Sequence, residues 1–267
     1  MIGESSVGVV IPCREALPAV RLLIQDLPAF VDRVVVVDDA SADGTAARLR
    51  RAHDPKTRAG ARLTILHHAE RRGLGSAVVT GYRALLAAGT ELTVVAWPGD
   101  ALDPGEVEDL LAPLLERRAD LCTGTRLGFG APRFDRFRAI VTARLLGWAI
   151  GGGGVADAGC SHHAVTAVAL RRLRLSELSR GEAFSLDLIA HAQSEGLVTE
   201  SAALRPFHRR RRHLPPQSVW VLGRAAFRRL RLRRTPRVLA STARASARVA
   251  AARPITSPRG QLPDPTP

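Results

Sequence analysis

The sequence predicts an α/β fold: a mostly parallel sheet flanked by helices, followed by a basic helical tail. Three observations carry this. Val34-Val35-Val36-Val37 and Val7-Gly8-Val9-Val10-Ile11 are short apolar runs of the kind buried on both faces of a parallel sheet. They alternate with stretches of helical apolar spacing, which gives β-α-β-α-β over residues 7–66, an order that implies right-handed crossovers. The charge is divided along the chain. Residues 205–267 hold sixteen arginines against one acid, Asp264, and carry +15, which leaves −1 on residues 1–204 out of a total of +14.

The first strand runs from Val7 to Pro12, with Glu15 close behind. Ala19 to Leu27 reads as a helix with Val20, Leu22, Leu23, Ile24 and Leu27 on its apolar face. The strand Val34 to Asp38 comes next and delivers two carboxylates, Asp38 and Asp39. Small polar residues, Ser41-Ala42-Asp43-Gly44-Thr45, then turn the chain into a helix reaching about Ala52, capped by Asp43 or Thr45. His53 to Arg62 is a polar loop and Leu63 to Leu66 a third strand. Gly73 and Gly75 precede a helix through Leu86. Two glycines at a helix start suit the approach of a phosphate to backbone amides, and serve equally as an ordinary turn.

Leu92 to Trp97 is a fourth strand. Asp103, just before Pro104, is either the N-cap of the helix Glu106 to Leu115 or a ligand. Arg136, Arg138 and Arg144 lie among apolar residues from Arg133 to Ile150, the pattern of a basic amphipathic helix. Ser185 to Ile189 begins another helix, and Leu197 to Leu204 is the last strand. Val219 to Arg234, with Trp220, Phe227 and Leu230 among arginines, is a helix that either lies on anionic lipid or packs on the domain. Proline, serine and glycine beyond Pro254 predict disorder. The expected organisation is therefore 1–212 as the α/β domain, 213–253 as a basic helical region and 254–267 as a disordered tail.

In an open parallel sheet, ligands bind at the carboxyl ends of the strands. The acids at the end of Val34 to Asp38 therefore mark a candidate site, with a solvated Asp-rich turn as the alternative. The pair Val-Val-Ile-Pro-Cys-Arg-Glu-Ala (9–16) and Val-Val-Val-Val-Asp-Asp-Ala-Ser-Ala-Asp-Gly-Thr (34–45) resembles the opening of the family 2 glycosyltransferases of the GT-A fold. It is most similar to the polyprenyl-phosphate (dolichol-phosphate) mannose synthases. The second motif matches throughout Val37 to Thr45; in the first, Arg14 stands where the family has asparagine.

The resemblance implies an inverting transfer of sugar from a GDP- or UDP-linked donor to a polyprenyl phosphate or another acceptor. Pro12, Glu15, Asp39, Ser41, Gly73, Gly75 and Asp100 would bind the nucleotide-sugar. Asp100 would also hold a divalent cation, Mg2+ or Mn2+, and has a catalytic place together with Asp157 and Asp187. Arg126, His163 and Arg210 would offset phosphate charge. The chain departs from the family at Pro98, where the first aspartate of Asp-x-Asp belongs, at Leu102, near the glutamine position, and at His162 and His163, which replace an aromatic and a cation. These departures motivate a second reading, a catalytically impaired GT-A relative that binds nucleotide or a partner. Paired metal ligation by the two histidines is disfavoured, because adjacent residues of a strand point to opposite faces.

Composition narrows the classes. No apolar run reaches the roughly 20 residues of a membrane-spanning helix, and the N-terminus lacks a secretory pattern. The expectation is a cytoplasmic protein, peripheral on the inner face of the plasma membrane through its tail. Cys13, Cys122 and Cys160 have no metal-type spacing and read as reduced buried thiols. The tail has no recognised nucleic-acid-reading motif, so no nucleic acid is expected as a partner.

Overall fold

The computed structural model describes residues 2, 4–53, 62–98, 102–125, 160–204 and 223. Asp100, Arg126, Asp157, Arg210, the helix expected at 133–150 and, residue 223 apart, the helix expected at 219–234 and the tail lie outside the described residues. The described strands are β1 (Val7–Cys13), β2 (Arg33–Asp38), β3 (Leu63–His67), β4 (Leu92–Val95), β5 (Leu121–Thr125), β6 (His163–Thr166) and β7 (Thr199–Ala203). They form one sheet in the order β3-β2-β1-β4-β6-β5-β7. β1, β2, β3 and β4 are mutually parallel, β5 pairs β7 in parallel, and β6 runs antiparallel to β4 and β5. The helices are α1 (Leu17–Asp26), α2 (Thr45–Ala52), α3 (Leu74–Ala87), α4 (Pro104–Leu115), α5 (Ala167–Arg172) and α6 (Phe184–Ser194).

Strand parity divides the core in two. Val7, Val9 and Ile11 of β1 and Val34 and Val36 of β2 join Val20, Leu23, Leu49, Val107, Leu110 and Leu111 on one face of the sheet. Val10, Val35, Val37 and Val95 join Val78, Tyr82, Leu85, Phe184 and Ile189 on the other. All four valines of β2 are buried, as a doubly covered strand requires, and each contributes about 1.5–3 kcal/mol in removing its side chain from water. The helix α3 lies close on β1 because residue 81 is glycine: a Cβ there would stand 2.3 Å from Val10 Cγ1.

Local signals set several boundaries. Pro12 breaks no pairing, because the ladder of β1 with β4 stops at Val10 opposite Val95. Asp43 rather than Thr45 supplies the carboxylate at the start of α2, accepting from the Thr45 amide at 2.9 Å and the Thr45 hydroxyl at 2.6 Å. Asp103 forms a capping box with Glu106, whose carboxylate accepts from the Asp103 amide at 2.9 Å, so α4 begins at Pro104, two residues before the apolar spacing predicts. The antiparallel direction of β6 and the short α5 are not legible in the sequence. Both elements are brief, and neither shows periodicity over a useful window. The three cysteines are buried and unbridged, and burial, with nearby carboxylates, pushes the Cys13 thiol up to about 12.

Candidate active site

The sequence β1, β2, β3 builds outwards on one side of β1, and β4 lies on its other side. The carboxyl ends of β1 and β4 are thus a topological switch point, where open sheets of this kind take ligands. Two non-glycine residues with left-handed backbone mark the neighbouring loops, Glu15 (φ 49°) after β1 and Ala40 (φ 56°) after β2. Such strain is stored where a loop is held for a purpose. Ser41 ties the loops together: its Oγ accepts from the Glu15 amide at 2.8 Å and donates to Asp38 Oδ1. The Glu15 carboxylate remains open to solvent, with its side chain 52% exposed.

Parity sends the two aspartates to opposite faces. Asp38 shares the face of Val34 and Val36, where Oδ2 meets His67 Nδ1 at 3.2 Å. Asp39 shares the other, and at 1% exposure it clamps the turn before α3. Its Oδ1 accepts from His68 Nδ1 at 2.9 Å and the Arg72 amide at 2.8 Å, and its Oδ2 from the Gly73 amide at 2.8 Å. Burial opposes charge on Asp39, but these donors prevail and hold the carboxyl below the usual range. Asp39 therefore shapes the site through the turn it holds rather than as an exposed acceptor.

Gly73 and Gly75 do not present free amides to a phosphate. The Gly75 amide donates to the Arg180 carbonyl at 2.8 Å. A Cβ on Gly73 would stand 2.3 Å from Arg180 O, and one on Gly75 2.3 Å from Ser179 O. The glycines let the 179–181 segment pack against the turn, so the ordinary-turn reading prevails over the phosphate one at Gly75. Asp187 holds that segment from behind. It is 2% exposed and accepts from the Ser179 amide at 2.8 Å, so its place is that of a positioning residue.

His163 requires a correction. It is 1% exposed in β6, with Tyr82 and Phe184 packed around it. Its Nδ1 donates to the Ser161 carbonyl at 2.9 Å, so Nε2 accepts the Tyr82 hydroxyl. Burial lowers its pKa to about 4. A neutral, enclosed imidazole offers no charge to a phosphate. His162 lies elsewhere, its Nδ1 3.4 Å from the Trp97 amide, as strand alternation predicted for the pair.

The end of β4 is fastened by Trp97, whose indole N–H donates to the Ser161 carbonyl at 2.7 Å. Half-buried Pro98 follows, without a carboxylate. Leu102 is buried in the core and Asp103 is engaged in the capping box. Among the described residues no group of three His, Cys, Asp or Glu side chains could hold a metal ion. These residues do not make a divalent-cation site.

Sequence reading missed His67 and His68. Register was the available signal, since His67 stands directly opposite Asp38 across the β2–β3 pair.

Residues 8–173 match the model of glycosyl transferase family 2. Undecaprenyl-phosphate mannosyltransferase of Micrococcus luteus is 29% identical over an alignment of 184 residues that covers 65% of this chain and 71% of that protein. Polyprenol monophosphomannose synthase of Mycolicibacterium smegmatis is 30% identical over an alignment of 189 residues that covers 64% of this chain and 69% of that protein. Mannosyl-3-phosphoglycerate synthase from Rubrobacter xylanophilus has the same fold, with a TM-score of 0.62 at 19% identity over 86% of this chain and 75% of its own. Glucosyl-3-phosphoglycerate synthase from Mycobacterium tuberculosis, crystallised with Mn2+, UDP and glucosyl-3-phosphoglycerate, matches with a TM-score of 0.56 at 18% identity over 84% of this chain and 78% of its own. The chain belongs to glycosyl transferase family 2 and is a nucleotide-sugar-dependent glycosyltransferase of the GT-A fold.

Proposed function

We propose that this enzyme moves a sugar, mannose by the likeness of its relatives, from a GDP- or UDP-linked donor to a polyprenyl phosphate. The observation that carries this is the edge built by Glu15, Asp38 and Ser41 beside the switch point, formed from the stretch that resembles the family motif. In the reaction an acceptor phosphate oxygen attacks the anomeric carbon. The new C–O bond forms as the bond to the nucleoside diphosphate breaks, with inversion, and the diphosphate leaves with the electron pair. A phosphate acceptor is anionic near pH 7 and needs no strong base. Catalysis then consists of positioning and charge stabilisation.

Glu15 would accept donor hydroxyl groups, and Pro12 and Ser41 fix the loop that carries it. Asp39, Gly73, Gly75 and Asp187 hold the facing turn in place. Arg126 and Arg210 would offset phosphate charge, and Asp157 would serve as a base only for a hydroxyl acceptor. Asp100 is the carboxylate left in the place of the Asp-x-Asp motif and would hold Mg2+ or Mn2+, which would offset charge on the leaving diphosphate. A lipid phosphate acceptor implies work at a membrane surface, which the +15 of residues 205–267 would complement. Among the described residues no helix is long and apolar enough to cross a membrane.

The test is transfer of radiolabelled sugar from GDP-mannose, UDP-glucose and UDP-mannose to polyprenyl phosphate in detergent. Organic-phase label from one donor is the expected result. Label appearing only in a water-soluble phosphorylated acceptor would overturn the lipid acceptor.

A further inference from the structure

The edge strand β3 ends in His67, whose ring is 40% exposed. Its register partner is Asp38, and the Asp38 carboxylate is buried. Asp38 Oδ1 accepts from the Ser41 amide and hydroxyl, while Oδ2 faces His67 Nδ1 at 3.2 Å. A carboxylate only accepts, so Nδ1 carries the proton in the neutral ring and Nε2 keeps a lone pair. No described residue partners Nε2. The sheet thus presents one oriented imidazole acceptor at its outer corner.

Position decides what this acceptor meets. The switch point lies between β1 and β4, and β3 is two strands beyond β1. From that crevice to β3 is two and a half strand spacings, roughly 12 Å. A nucleoside diphosphate laid across the strand ends, with its diphosphate at the crevice, reaches this corner with its base. Glu15 lies between, after β1, where a ribose would pass. Asp39, the residue the family resemblance nominated for the nucleoside, already accepts three donors from its own chain.

We infer that His67, oriented by Asp38, is a specificity-determining contact to the donor base. Its Nε2 accepts the ring N–H of a base that carries one, uracil N3–H or guanine N1–H. Adenine and cytosine present a bare ring nitrogen at the corresponding edge and are disfavoured. This rests on the nucleotide-sugar reading above and adds to it the residue that selects the base.

The experiment is titration calorimetry of the full chain with UDP, GDP, CDP, ADP and inorganic pyrophosphate. Wild type is compared with His67→Phe and Asp38→Asn, with thermal melts as the folding control. Wild type should prefer UDP or GDP over CDP and ADP by about tenfold. His67→Phe should remove that preference and leave pyrophosphate unchanged. Asp38→Asn can donate its amide to Nδ1, which turns Nε2–H into a donor and should shift preference towards CDP and ADP. Unchanged selectivity in both variants would overturn the inference, as would an equal loss for all five ligands in a folded protein. Failure of wild type to bind any nucleotide would overturn the nucleotide-sugar reading itself, a result distinct from loss of base selectivity alone.

Discussion

His163 and Asp39 show how burial assigns work to ionisable residues. His163 lies enclosed between Tyr82 and Phe184 and is held neutral, its pKa moved from 6.5 to about 4 chiefly by desolvation. The unfolded chain therefore binds a proton that the folded one refuses between these values. The stabilisation is complete above pH 6.5 and is lost as pH falls towards about 4. At about 1.4 kcal/mol per pKa unit, the loss is on the order of 3 kcal/mol. Guanidinium melts at pH 7.5, 6 and 5 should show stability falling across this range, and His163→Gln should flatten the slope. An unchanged slope in the variant would mean that other groups set it. Asp39 acts in a lower window. Its folded pKa is depressed, so its share is present above the ordinary aspartate value and disappears only as pH falls through the folded one.

At the scale of elements, the turn before α3 is held from three sides. Asp39 binds the Arg72 and Gly73 amides, Arg180 O accepts from the Gly75 amide, and Asp187 binds the Ser179 amide. A chain of short contacts thus runs from the end of β2 to α6. Gly75→Ala tests it. The new Cβ would meet the Ser179 carbonyl at 2.3 Å, and backbone cannot yield as a side-chain tip can. The expected destabilisation is about 1–3 kcal/mol, or several degrees in Tm, together with weaker nucleotide binding. Wild-type Tm and affinity in this variant would show that the 179–181 segment packs loosely.

For the molecule as a whole, the departure that matters is Pro98, which stands in the place of the first motif aspartate on a GT-A frame. The frame supplies the switch point, the strained loops and the clamped turn, while the end of β4 is fastened through Trp97 and Ser161. Hard oxygen ligands are what Mg2+ and Mn2+ require. Pro98→Asp adds one, and should strengthen UDP or GDP binding in Mn2+ about tenfold relative to EDTA, beyond any ratio seen in wild type. Equal ratios in the two proteins would indicate that residue 98 points away from the diphosphate.

Much of this was legible in the chain. Valine runs can only be satisfied between two helical layers, so β1, β2 and their parallel pairing follow from composition and spacing. The motif Val37 to Thr45, through its resemblance, pointed to the family that the match over residues 8–173 shows. The three cysteines were correctly read as buried thiols. Tertiary structure settled which way each polar group faces. Asp38 and Asp39 are neighbours in sequence, yet a strand turns successive residues to opposite faces, giving one to His67 and the other to the turn before α3. His163 looked like a stand-in for a cation, but its partners Tyr82 and Phe184 are distant in sequence, and only packing could enclose it. Linear spacing fixes periodicity, and hence elements and faces. Long-range contact fixes burial, and burial decides which charges survive to meet a ligand.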